Sequence, residues 1–408
     1  MQLDQHYHLQ GVALYDICDQ FGTPLFIYDS ATIIRQYERM QSAFSVPHLQ
    51  INYACKALSN VSILRLMKKL GAGLDTVSIQ EIKLGLHAGF TPEEIIYTPN
   101  SVSLNEIEEA IQLGVRINID NIEMLESVGH RHPDLPYCIR INPHIMAGGN
   151  ANISVGHIDS KFGISIHQMP LVERIVATLG LNVEGVHMHT GSDILDTQVF
   201  LQAADILFNT AKKFDSIQYL DFGSGFKVKY KPDDIETDIE EFGRQMSERF
   251  NAFCKEMGRD LTLMFEPGKY LVSEAGYFLM RTNVVKQTTS TIFAGVDSGF
   301  NHLIRPMFYN AYHDIVNISN PSGHPRIYTV VGYICETDTF GFNRKLNEVR
   351  PGDILALRNA GAYCQTMASN YNSRLRPAEV LVHEGQAHLI REREVFEDLL
   401  RHQPEVAL

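Results

Sequence analysis

Gln50-Ile-Asn-Tyr-Ala-Cys-Lys56 and Leu261-Thr-Leu-Met-Phe-Glu-Pro-Gly-Lys269 are each a short apolar run that ends in residues able to do chemistry. Six further runs of the same kind lie between them. Apolar strands whose polar residues gather at one end, separated by helical stretches, are how a (β/α)8 barrel builds an active site. The reading therefore starts from a barrel with a lysine closing its first strand and a glutamate closing its eighth.

Working outward, strands are expected near Asn52, Leu74, Ile96, Ile117, Ile139, Val186, Tyr219 and Leu263. The first five are roughly 21–23 residues apart, room for a strand, a helix and two loops. Helices are expected at Val61–Lys69, Ile79–Ala88, Leu104–Leu113 and Ile122–Val128, where apolar residues recur every three or four positions. The later spacings are longer. One insertion, the glycine-rich and polar segment 147–156 after the fifth strand, reads equally as a lid or as a plain surface loop. After Glu266 the pattern turns to short β-type runs at Phe278–Val285, Thr291–Val296, Ile315–Ile318, Ile327–Val331, Ile354–Leu357 and Ala378–Val382. An early run, Leu25–Tyr28, can join them. The expected architecture is α/β: a TIM-type barrel over 28–272 and an all-β domain built from 1–27 and 273–408.

Composition narrows the partners. The 408 residues are 44% hydrophobic and 20% charged, as in a soluble globular protein long enough for two domains. A net charge of −13, from 48 acidic and 35 basic residues, argues against nucleic acid as the main partner, since phosphate backbones need a basic face. No apolar run approaches the ~20 residues that span a bilayer, and the N-terminus carries no signal-like core. The expectation is a cytoplasmic protein with no membrane partner. The six cysteines, Cys18, Cys55, Cys138, Cys254, Cys335 and Cys364, form no CxxC pair, so a structural zinc or a redox dithiol has little support.

The strand ends carry the chemistry. A lysine where an apolar strand opens to the catalytic face can lose hydration and become a usable amine; Lys56 is also readable as an ordinary solvated strand-end lysine. Glu266 begins Glu-Pro-Gly-Lys and can aim a carboxylate inward at a protonated ring nitrogen, or simply cap a loop. Gly223-Ser-Gly225 closes the seventh strand and can cradle a phosphate with backbone N–H groups, a common use of barrel loops after strands seven and eight. In His187-Met-His-Thr-Gly-Ser192, alternation puts His187 and His189 on one side. A metal reading lacks a third ligand nearby, and a ring stacked on His189 with Ser192 on its phosphate fits the other parts better. Asp75 ends the second strand and can serve as a helix cap. Arg305 offers a carboxylate fork in the β-region.

A lysine, phosphate-binding turns, a stacking histidine and a carboxylate for a ring nitrogen together describe a pyridoxal 5′-phosphate site. On Tyr53-Ala-Cys-Lys56-Ala, Ser160-Lys-Phe-Gly163, His187-Met-His-Thr-Gly-Ser192, Glu266-Pro-Gly, Cys335-Glu336, Gly361-Ala-Tyr363 and Ser369-Asn-Tyr-Asn372, the chain resembles the alanine-racemase-like (fold type III) decarboxylases. It is most similar to those acting on meso-2,6-diaminopimelate, and the resemblance runs from about residue 10 to the C-terminus. It implies that Lys56 carries the cofactor covalently, with Asp75 beside the site. His189 would stack on the ring and Glu266 would keep its nitrogen protonated. Ser192, Gly223, Gly225 and Gly268 would bind phosphate, with Tyr363 and Lys269 also near cofactor or substrate. Arg305, Tyr309 and Glu336 would grip the distal end of the substrate. Cys335 would return a proton after CO2 leaves, and Cys335-Glu336 would reach a partner's site in a homodimer with shared active sites. Three departures stand out: Lys269 where the family has arginine, Gly-Ser-Gly in place of three glycines, and Thr337 for serine. The competing readings are decarboxylases of the same fold acting on ornithine, lysine, arginine or carboxynorspermidine, a racemase, and a non-catalytic homologue that binds a partner enzyme.

Overall fold

The computed structural model describes residues 7–145, 160–189, 191, 195, 197–231 and 233–407. The segment 147–156 and Ser192 lie outside the described residues. The chain forms two compact units, Gln36–Val228 with Ile235–Tyr270, and Met1–Arg35 with Lys229–Asp234 and Leu271–Leu408.

The first unit is a closed barrel of parallel strands: His48–Ala54, Gly73–Thr76, Ile95–Tyr97, Arg116–Ile119, Pro136–Asn142, Asn182–Met188, Tyr219–Asp221 and Thr262–Phe265. All eight expected strand centres fall inside these spans. Closure comes from the pairing of the eighth strand with the first, in a register that sets Thr262 against His48 and Phe265 against Ile51. The helices start where the sequence supplies a side-chain acceptor for an orphan N–H. Asn60, Ser78, Ser103 and Asn121 each accept from a backbone N–H in the first turn of Val61–Lys69, Ile79–Ala88, Leu104–Gln112 and Ile122–Arg131. Ser78, not Asp75, therefore caps the helix after the second strand, which leaves Asp75 for another task. Aromatic rings wedge the later strands against their helices: Phe265 lies 4.9 Å from Phe44 and 5.8 Å from Phe226, ring centre to ring centre. Among the described residues no helix is long and apolar enough to cross a membrane.

The second unit is rich in sheet. The long strand Gly276–Gln287 pairs antiparallel with Ile292–Val296, Leu25–Asp29 and Ile354–Arg358, and Leu25–Asp29 pairs parallel with Ala378–His383. The early strand thus belongs to the β-unit. Among the described residues of this unit, four strands have no counterpart in the sequence reading: the two-residue pair His8–Leu9 and Val12–Ala13, and the longer Thr339–Asn347 and Gln386–Arg391.

Candidate active site

The barrel gathers its functional side chains at the C-terminal ends of its strands. Lys56 follows the first strand in a single turn of 3-10 helix, and its Nζ lies 3.6 Å from Asp75 Oδ2. The lysine side chain is 46% exposed, whereas Asp75 is 1% exposed. Lys56 is therefore not the desolvated amine expected from its strand. Asp75 is instead the group that burial perturbs. Burial and the nearby Glu266 push the Asp75 carboxyl up to about 7, against the pull of Lys56.

Across the barrel, Glu266 is buried. Its backbone N–H donates to the Gly223 carbonyl at 2.7 Å, and the Ala54 N–H donates to the Pro267 carbonyl at 3.2 Å. The Glu-Pro-Gly turn is thereby tied to the ends of both the seventh and the first strands. His187 Nε2 and Glu266 Oε2 are 3.0 Å apart. Burial favours the neutral imidazole, so His187 offers Glu266 a hydrogen bond rather than a charge. Burial also opposes a charge on Glu266, but its interactions with His187 and the Lys56 ammonium outweigh it and hold the carboxyl below its ordinary range.

The glycine turn departs from the expected phosphate cradle. The Gly223 N–H donates to Asp221 Oδ1 at 2.9 Å and the Ser224 N–H donates to His189 Nδ1 at 3.1 Å. Two of its donors are already taken by side chains, because the sixth and seventh strands are adjacent and end level with each other. The phosphate reading of the turn now rests on Gly225, whose φ of +140° suits glycine. At Gly223, φ is +59° and an added Cβ would lie 2.7 Å from both His189 Nδ1 and the Met188 carbonyl oxygen. His189 is fixed by that contact, and burial, reinforced by Arg140 and Lys56, brings its pKa down to about 3. It presents an uncharged ring, as a stacking partner requires. Gly268 is buried, and Lys269 opens the short helix Lys269–Val272.

The remaining expected residues lie in the β-unit. Arg305 begins the helix Arg305–Tyr309 and is buried. Its Nη2 donates to the Tyr230 hydroxyl at 3.2 Å, and its guanidinium carbon lies 5.5 Å and 5.8 Å from the ring centres of Tyr230 and Tyr309. Cys335 is an exposed free thiol whose N–H donates to Asn372 Oδ1 at 2.8 Å. Glu336 Oε1 accepts from the Tyr371 hydroxyl at 2.7 Å. The segments 335–336 and 369–372, far apart in sequence, are thus locked together. Tyr363 is half-buried at φ +56°, beyond Gly361, where a Cβ would collide with the Val272 carbonyl oxygen.

The sequence reading missed Tyr230, Arg140 and Asp221. Arg140 and Asp221 sit in the barrel interior on one row with His187: the register sets His187 against Arg140 on one side and Asp221 on the other. Alternation in Arg140-Ile-Asn142 would have marked Arg140 as inward-facing.

The donor set fits pyridoxal 5′-phosphate. It includes an accessible amine, a buried carboxylate oxygen (Glu266 Oε1) with no hydrogen-bond partner among the described residues, an uncharged imidazole and a glycine turn closed to any Cβ. Comparison with known proteins agrees. The family profile described as "Pyridoxal-dependent decarboxylase, pyridoxal binding domain" matches residues 30–273. The chain is 40% identical to the diaminopimelate decarboxylase of Methanothermobacter thermautotrophicus, over 98% of this chain and 95% of that one. It is 37% identical to the Pseudomonas aeruginosa diaminopimelate decarboxylase, over 97% and 96%. Among solved structures, the Helicobacter pylori diaminopimelate decarboxylase complexed with L-lysine superposes with a TM-score of 0.87 at 31% identity, covering 95% of this chain and 98% of that one.

Proposed function

The chain belongs to the pyridoxal-dependent decarboxylases, in the diaminopimelate decarboxylase family, and from that premise we propose that it converts meso-2,6-diaminopimelate to L-lysine and CO2, the last step of lysine biosynthesis. The observation that carries the reading is the pairing, in one barrel, of an accessible strand-end lysine with a buried Glu266 whose Oε1 has no hydrogen-bond partner among the described residues.

When bound, pyridoxal 5′-phosphate supplies an aldehyde that condenses with amines and a protonated ring that accepts the electron pair released as CO2 departs. The protein's share is binding, orientation and proton placement. Lys56 would hold the group through its aldehyde, and its half-exposed side chain leaves room for a substrate amine. Asp75, 3.6 Å from Nζ, is placed to exchange a proton with that amine. Glu266 would keep the ring nitrogen protonated. His189 would pack on the ring, and the Gly225 and Gly268 backbones, with Ser192, would hold the phosphate.

Arg305 and Tyr309, with Glu336 and Lys269, bind the distal end of the substrate, where an amine and a carboxylate must both be met. Buried polar groups left without partners reject analogues far more strongly than an apolar pocket does. A plain diamino acid would leave Arg305 without its anion. Cys335 returns the proton to the α-carbon, Tyr363 lies near the cofactor, and the working unit is a cytoplasmic homodimer with shared sites. A decarboxylation assay across meso-diaminopimelate, ornithine, lysine and arginine, with added cofactor, tests the assignment. Turnover confined to meso-diaminopimelate is expected, and equal turnover of ornithine would remove the role given to Arg305. Mixing Lys56→Ala with Cys335→Ala subunits should restore part of the activity; no recovery would refute site sharing.

A further inference from the structure

Three carboxyl groups, Asp75, Asp221 and Glu266, are buried in the mouth of one barrel, and an isolated buried anion is costly enough that such groups seldom all ionise. His187, Asp221 and Glu266 bring one nitrogen or oxygen each within 4.8 Å of one another. Gly223 clamps two of the three, giving its N–H to Asp221 at 2.9 Å and taking the Glu266 N–H at 2.7 Å. His187 Nδ1 and Asp221 Oδ2 have no hydrogen-bond partner among the described residues.

From this geometry we infer that His187 and Asp221 are positioning residues that hold Glu266 as the cluster's one anion, His187 by donating Nε2–H and Asp221 by standing beside it as a carboxylic acid. With no hydrogen-bond partner for Nδ1 among the described residues, the imidazole proton belongs on Nε2, where Glu266 accepts it at 3.0 Å. Asp221 receives an N–H on Oδ1, which leaves Oδ2 to carry its proton. Burial and then Glu266 raise the Asp221 carboxyl well above its ordinary range, against the Gly223 N–H. The other groups facing Glu266 are Lys56, His189, Arg140, Asp75 and Cys138. They bias the cluster toward a single negative charge without supplying Glu266 with a hydrogen bond of known geometry. The inference rests on the reading that Glu266 meets the cofactor's ring nitrogen, and it names what keeps that carboxylate charged and aimed.

Three measurements on the full-length protein test it. An infrared spectrum of the cofactor-free chain with isotope-labelled aspartate should show a protonated carboxyl at neutral pH that is absent from Asp221→Asn. In the holoenzyme, Asp221→Asn keeps a neutral donor of the same shape, so cofactor affinity should stay within about threefold. His187→Phe removes a hydrogen bond to a buried charge; affinity should fall roughly ten- to a hundredfold and the pH profile of the cofactor's visible absorption should move, with His187→Gln recovering most of both. An Asp221→Asn loss as large as that of His187→Phe would show Asp221 working as an anion and overturn the inference. So would zinc that copurifies with the chain and is lost in His187→Phe. A protonated Asp221 together with a Glu266→Gln absorption profile that does not move would support the proton arrangement while refuting the ring-nitrogen reading.

Discussion

The two ends of the barrel sequence put opposite functional groups in opposite surroundings. Lys56, after the first strand, is half-exposed and paired loosely with Asp75, whereas Glu266, after the eighth, is buried, hydrogen-bonded to His187 and tied through its backbone to Gly223. The difference matches the role proposed for each. An amine that must bond one partner, release it and take it back needs room and water. A carboxylate that must hold one charge against one ring needs fixed neighbours and none of the solvent that would reorganise around it.

The largest break in this comparison comes from the mobile side. Lys56→Ala is expected to reduce turnover by at least about a thousandfold and to abolish the covalent cofactor's visible absorption band, because it removes the amine proposed to hold the cofactor. Residual turnover close to that of the unmodified protein would remove Lys56 from its assigned place. On the fixed side, Glu266→Gln keeps the shape and loses the charge. The loss expected in kcat is roughly a hundred- to a thousandfold, the scale of removing one preorganised electrostatic group, and steady-state kinetics with saturating cofactor would show it.

How much of this was legible depends on whether the feature is local. The barrel strands could be read because each is an apolar run bounded by polar residues, and the helices because each has its own cap. The two longer overlooked strands, Thr339–Asn347 and Gln386–Arg391, are the ends of the order in their sheet. Edge strands carry exposed, mixed side chains and so lack the alternation that marks a half-buried strand. The same limit governs the site. Lys56 and Glu266 follow from position along the chain. The row Arg140–His187–Asp221 requires the register between three strands, which a single sequence does not encode. Tyr230 was missed for another reason: it sits in a short segment that joins the β-unit only in space.

Smaller effects sharpen the contrast between rigid and tolerant places. Gly223→Ala puts a Cβ 2.7 Å from His189 Nδ1 at a φ of +59°, whereas Gly180→Ala, at φ +65°, meets nothing within 4 Å. Both pay for left-handed backbone with about 1 kcal/mol, but Gly223→Ala should lose a further ~1–3 kcal/mol in denaturant unfolding from the forced shift of packed atoms. Equal losses would mean that the turn yields and does not fix His189. Arg305→Gln should then lower kcat/KM for meso-diaminopimelate roughly ten- to a hundredfold while changing ornithine turnover little, since only the first substrate offers a distal carboxylate.

The smallest expected effect concerns a buried histidine of the β-unit to which no catalytic role is assigned. His313 is fully buried, its Nδ1 donates to the Arg358 carbonyl at 2.9 Å, and burial, helped by Arg305, brings its pKa from 6.5 down to about 3. Above pH 6.5 neither folded nor unfolded chain protonates it, and its contribution to stability is constant. Below that, the unfolded chain binds a proton that the folded chain refuses. Stability is therefore lost as pH falls from 6.5 toward 3, by at most about 1.4 kcal/mol per pH unit for one group. Replacing His313 with asparagine, which keeps an N–H donor but does not titrate, should make the unfolding free energy fall less steeply across that window than in the unmodified protein. An unchanged slope would place the acid sensitivity with other groups, such as His189, whose pKa burial also brings down to about 3, and would shift the pH-sensitive element from the β-unit to the barrel.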